Sequence, residues 1–186
     1  MKILVFAGSL RKASINKKLA TLIAGKLSGR GCDVDHEVDF HAFDMPLFDE
    51  DLKEAEGTPP GATLFVERIR AADGLVIVTP EYNHSIPGPL KNAIDWMSLS
   101  RPYPTLGKTV MIAAAANSMV GGYRGLMALQ EPLSLLGAWV SPGKFGLAQA
   151  SKAFDEAGGL VDPAIDKLLD GMLDDFVAMV KGRSQG

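Results

Sequence analysis

Cysteine is almost missing from this chain: Cys32 is the only one in 186 residues. A single thiol excludes an internal disulfide and any zinc or iron–sulfur site built from several cysteines. Long hydrophobic runs are missing too. The N-terminal stretch Ile3-Leu4-Val5-Phe6-Ala7 is far short of the ~20 residues of a membrane span. Arg11 and Lys12 follow that stretch rather than precede it, the reverse of a secretory signal. Nor is there an excess of positive charge. Nineteen Lys and Arg against 22 Asp and Glu leave a net charge of −3, so no global field draws the chain to nucleic acid or anionic lipid. Of the three histidines, His36 and His41 lack a partner motif, so no metal site is expected. The expectation is a soluble, cytoplasmic protein.

What is present is a balanced globular composition, 47% hydrophobic and 22% charged, with no repeat and no low-complexity tract. Residues 1–186 read as one domain. Segments alternate in type. Ile3–Ala7, Gly74–Thr79 and Lys108–Ala115 are continuous apolar runs of strand length, as expected of strands covered on both faces. Asp33–Val38 is a half-polar strand suited to an edge, and Trp139-Val140 opens a short last strand. Helical spacing marks Asn16–Leu27, Ala62–Ala72, Pro89–Met97, Tyr123–Leu136 and Val161–Val180. Asp39 to Gly61 reads as irregular. Strand and helix in alternation imply an α/β fold, a flavodoxin-like five-stranded parallel sheet with helices on both faces.

Such sheets bind ligands beyond the carboxyl ends of their strands, which directs attention to three loops. The first, Gly8 to Asn16, offers the hydroxyls of Ser9 and Ser14, the Asn16 amide and the Arg11 guanidinium at a helix start. That set suits a terminal phosphate dianion; the plainer alternative is that Ser14 or Asn16 merely caps the helix. The loop has neither a Walker A nor a Gly-x-Gly-x-x-Gly pattern. The second, Thr79 to Pro89, is stiffened by three prolines and places Pro80, Glu81, Tyr82, Asn83 and His84 at a rigid edge. A flat heteroaromatic ligand needs such an edge; a core-packed Tyr82 is the alternative. The third, Ala116 to Gly122, carries Ser118 and the pair Gly121-Gly122, whose N–H groups could face negative charge or simply form a turn.

Together, Gly8-Ser9-x-Arg11-x-x-Ser14-x-Asn16, Thr79-Pro80-Glu81-Tyr82-Asn83 and Ser85-Ile86-Pro87-Gly88-x-Leu90-Lys91-Asn92-Ala93-x-Asp95-Trp96 resemble the NAD(P)H-dependent FMN reductase family. That family includes bacterial quinone, chromate and ferric reductases. The resemblance covers roughly residues 1–150. It implies non-covalent FMN, NADH or NADPH as co-substrate, and a homodimer or homotetramer with the flavin near a subunit interface. Ser9, Arg11, Ser14 and Asn16 would hold the phosphate. Pro80, Glu81, Tyr82 and Asn83 would line the isoalloxazine ring. Ser118 would stand on its far side, with Gly121 supplying backbone. The third loop departs from the richer glycine run of several members at Met119 and Val120.

The expected chemistry follows. Hydride passes from the nicotinamide to flavin N5, the nucleotide leaves, and an acceptor takes its place, a ping-pong sequence. Quinones, chromate and ferric chelates are the acceptors the family implies. No catalytic acid or base is nominated, because the flavin carries the chemistry. Arg101 is a candidate anchor for nicotinamide phosphates or an anionic acceptor, with a surface or interface arginine as the alternative. A flavodoxin-type electron carrier or flavin-sensing module is the principal rival. A serine hydrolase is the other, although the Gly-x-Ser-x-Gly elbow is absent.

Overall fold

The computed structural model describes residues 1–183. Among these, strands β1 (Lys2–Ala7), β2 (Asp33–Glu37), β3 (Gly74–Val78), β4 (Thr109–Ala115), β5 (Trp139–Val140) and β6 (Phe145–Leu147) form one parallel sheet. Its order is β2-β1-β3-β4-β5, with β6 also on β4. Helices α1 (Ile15–Gly29), α2 (Glu50–Glu56), α3 (Pro60–Ala71), α4 (Gly88–Met97), α5 (Tyr123–Leu135) and α6 (Pro163–Arg183) connect and close it.

Alternate residues of a strand point to opposite faces, so each central strand feeds two cores. Ile3, Val5, Val76, Val78, Met111 and Ala113 face α1 and α6. Leu4, Phe6, Leu75, Ile77, Val110 and Ile112 face α3, α4 and α5. Burial on both sides is why these runs read as continuously apolar. The second core contains Phe6, Phe40, Phe43 and Phe65, with the Phe43 and Phe65 rings 5.0 Å apart and edge-on. Edge strand β2 is half-polar because its Asp35 and Glu37 receive the Arg68 guanidinium of α3.

Three features depart from the sequence reading. The last strand is split: β5 pairs with the start of β4 and β6 with its end. Pro142 and Gly143 lie between them, and a proline has no N–H for the ladder. Residues Asp39 to Gly61 are not wholly irregular, for they hold a single 3-10 turn at Phe40–Phe43 and the helix α2. Helix α2 buries nothing, so it leaves no apolar stripe to detect. It is set locally by Asp49, whose Oδ1 accepts from Asp51 N at 2.9 Å.

Candidate active site

The chain turns from β1 outward to β2, then crosses back to β3 on the other side, so the sheet order reverses between β1 and β3. That switch point is where a crevice opens beyond the strand ends. Gly8 N donates to Val78 O at 2.8 Å and Thr79 N to Ala113 O at 2.8 Å. These bonds bring the loops after β1, β3 and β4 to one edge.

In the first loop Ser14 occupies the N-cap of α1 with extended backbone, yet its side chain makes no cap bond. The opening N–H groups of the helix therefore lack a side-chain partner of the usual kind. Ser9 and Ser14 are buried side chains, at 3% and 5% exposure, and their hydroxyls have no partner among the described residues. Arg11 is exposed beside them and in no ion pair among those residues. Asn16 does something else. Its Nδ2 donates to Ala115 O at 3.0 Å and its Oδ1 accepts from Ala115 N at 2.8 Å. The side chain expected to face a phosphate instead ties the start of α1 to the end of β4.

The second loop is a tight hairpin. Tyr82 N donates to Ser85 O at 2.9 Å and Ser85 N to Tyr82 O at 3.0 Å. Between them Asn83 and His84 have φ of 49° and 64°, as the central residues of a type I′ turn require. Pro80 is buried at its root, and Tyr82, at 53% exposure, is no core residue. The Glu81 carboxylate accepts from Gly125 N at 3.0 Å, in the first turn of α5. This side chain caps a helix; only its backbone is left for the edge of a ligand.

The third loop also differs from expectation. Gly121 is buried, and its N–H donates to Ser118 O at 3.3 Å, so that group is used within the turn. Its φ is +60°, and an added Cβ would stand 2.6 Å from the Gly146 carbonyl of β6. Glycine here serves close packing of the loop on the split strand. Ser118, Met119 and Val120 face solvent.

Arg101 is misplaced for the anticipated role. It follows α4, which runs from the crevice to the opposite end of the sheet. There its Nη1 donates to Ser98 O and Ser100 O, and its Cζ lies 4.2 Å from the centre of the Tyr103 ring. The neighbouring Pro102 O accepts from Arg70 at the end of α3, just before β3 begins. A cation that the sequence reading did not nominate, Arg124, does stand at the crevice, its Nη1 3.4 Å from His84 Nε2. Its sequence signal was a basic residue two positions after the Gly121-Gly122 turn, in the first turn of a helix where the dipole disfavours a cation. Asn92 and Trp96, part of the long motif, hold a chain segment in place. Both donate to Pro46 O, at 2.9 and 2.8 Å, while Asn92 Oδ1 accepts from Phe48 N at 2.8 Å. Among the described residues no cluster of His, Cys, Asp or Glu could hold a metal, and no helix is long and apolar enough to cross a membrane.

Residues 1–152 match the family described as NADPH-dependent FMN reductase. This chain belongs to that family. It is an oxidoreductase that works with FMN and NAD(P)H. A quinone reductase of Escherichia coli strain K12 is 36% identical over 178 residues, covering 95% of this chain and 93% of that protein. The flavoenzyme NAD(P)H:acceptor oxidoreductase FerB of Paracoccus denitrificans superposes with a TM-score of 0.82 at 29% identity, covering 98% of each chain. A flavodoxin of Pseudomonas aeruginosa, TM-score 0.59 at 16% identity over 97% of this chain and 99% of its own, shares the fold alone.

The residues present suit the family's cofactor. An N-cap hydroxyl without a cap bond, a second unpartnered hydroxyl and a solvent-facing guanidinium are the donor set of a phosphate dianion. In this FMN reductase the prolines and the hairpin bond pair fix the second loop as a rigid edge with Tyr82 beside it.

Proposed function

We propose that the chain acts as one FMN-binding domain that oxidises NAD(P)H and delivers the electrons to quinones, with chromate and ferric chelates as further acceptors. The observation that carries this reading is the convergence of the Ser14 loop and the Tyr82 hairpin on the β1/β3 switch point. In this reading Ser9, Arg11, Ser14 and the first N–H groups of α1 bind the phosphate. Asn16 positions that turn through Ala115. Pro80 to Asn83 supply backbone along the ring edge, and Ser118 stands on the far side of the loop opening. When bound, the flavin supplies hydride acceptance at N5 and two-electron transfer onward.

In this reading nucleotide and acceptor use one opening over the ring in turn, which gives ping-pong kinetics. Met119 is 78% exposed, and with Val120, Tyr123 and Met127 it leaves an apolar rim at the crevice. Such a rim is suited to a second copy of the chain, which supports a homodimer or homotetramer.

The test is an absorption spectrum of the purified protein followed by anaerobic titration with NADH or NADPH. A yellow protein that bleaches stoichiometrically and recovers on adding a quinone is the expected result. A yellow protein inert to both nucleotides overturns the reductase reading in favour of a carrier. A colourless protein that takes up no added FMN overturns the site itself.

A further inference from the structure

Along the outer face of α1 runs a groove of about 1090 Å³ that the reductase reading does not use. It begins at Lys12 and Ser14 of the first loop and continues between α1 and the segment 154–160. Ser14, Lys18, Leu22 and Lys26 line it at four-residue spacing, steps of about 6 Å along one helix face.

Its charges are unevenly distributed. Lys17 is held by Asp39 at 2.9 Å, and Lys26 by Asp166 and Asp170 at 2.9 and 3.0 Å. Lys12 and Lys18 have no carboxylate partner among the described residues. Uncompensated positive charge therefore collects at the end that meets the first loop. Farther along, Leu22, Phe154 and Leu160, partly buried against the core, give an apolar floor. The carboxylates of Asp155 and Glu156, neither in an ion pair among the described residues, stand at the rim.

We propose that this groove receives the adenosine-phosphate end of FAD, so that the site accepts the dinucleotide as well as FMN. This rests on the first loop being the flavin phosphate site. In FAD that phosphate is no longer terminal: it carries a second phosphate joined to adenosine, which must leave the loop on the side away from the ring. The groove lies there. Val38, which lines it, follows β2, on the opposite side of β1 from β3 and its hairpin. The two walls of the groove have matching chemistry, with Lys18 of α1 for the second phosphate, Leu22 of α1 and Phe154 opposite it for the adenine face, and Glu156 to accept from the ribose diol.

Gly25 offers a clean test, for it lines the groove and a Cβ added there meets nothing within 4 Å. Gly25→Phe fills the groove without entering the core. The purified holoenzyme is equilibrated with equal concentrations of FMN and FAD, desalted, and its released flavins separated by chromatography. Wild-type protein is expected to carry a substantial fraction of FAD. Gly25→Phe, and independently Lys18→Glu, should cut that fraction about tenfold at unchanged total flavin. FMN alone on the wild type, or an FAD fraction that neither variant moves, overturns the proposal and leaves the reductase reading intact. Absence of any bound flavin overturns both.

Discussion

Arg11 stands at a strand-to-helix turn with its guanidinium in solvent and no carboxylate beside it. A charge-assisted contact to a phosphate contributes roughly 1.5–3 kcal/mol. Arg11→Ala is therefore expected to weaken FMN binding about 10- to 100-fold with little change in melting temperature, read by quenching of flavin fluorescence. Unchanged affinity would return Arg11 to an ordinary surface residue. Asn16 predicts the opposite pattern. Removing its amide leaves the N–H of Ala115 unpaired at a position 4% exposed, and such a group costs about 1–3 kcal/mol. Asn16→Ala should lower the denaturant midpoint at unchanged slope. Ser9, Arg11 and Ser14 could be nominated from sequence because a candidate phosphate loop is a matter of neighbouring residues. The tasks of Asn16, Glu81 and Gly121 were not, since their partners Ala115, Gly125 and Gly146 come from other elements.

At the scale of elements, α1 and α6 are laced together by charge. Lys26 in the last turn of α1 and Arg30, the residue that caps its C-terminal end, meet Asp166, Asp170 and Asp174 on α6. Burial, the largest influence on the Asp170 carboxyl, pushes its pKa up. The hydrogen bonds and attraction of Arg30 and Lys26 together outweigh burial and hold the pKa below its ordinary 3.8. A carboxyl depressed on folding contributes stability above its unfolded pKa and loses it as pH falls through the folded value. Melting temperature should thus decline below about pH 4, and Asp170→Asn should flatten that decline. A variant whose acid limb matches wild type would remove the lacing from the account. Alternating strands and amphipathic helices were readable in sequence because burial imposes period. Helix α2 and the break between β5 and β6 were not. The first buries nothing, and the second depends on which stretch of β4 each short strand meets.

The whole molecule divides into two ends. Strand carboxyl ends carry the three loops, and the opposite end carries Arg101 and Pro102 beside Arg70. A ligand held only by the folded crevice stabilises the entire domain, by about 2.7 kcal/mol at a hundredfold excess over Kd. For a chain of this size that corresponds to a rise of roughly 5–10 °C in Tm. Excess FMN is expected to produce that rise in a thermal melt, and riboflavin, which lacks the phosphate, a smaller one. Equal shifts would mean that the first loop does not engage the phosphate. Sequence alone determined the parallel α/β class, the two-faced core strands and the candidate loops at the strand ends, because periodicity and loop composition are properties of neighbouring residues. Only the tertiary structure decided which side chains face the crevice. Arg101 and Arg124 are both basic residues near helix ends, and only the unfavourable place of Arg124 in a first helical turn hints at which of them meets the crevice. The direction of α4 across the sheet carries Arg101 away, and the capping of α5 by Glu81 sets Arg124 at the mouth.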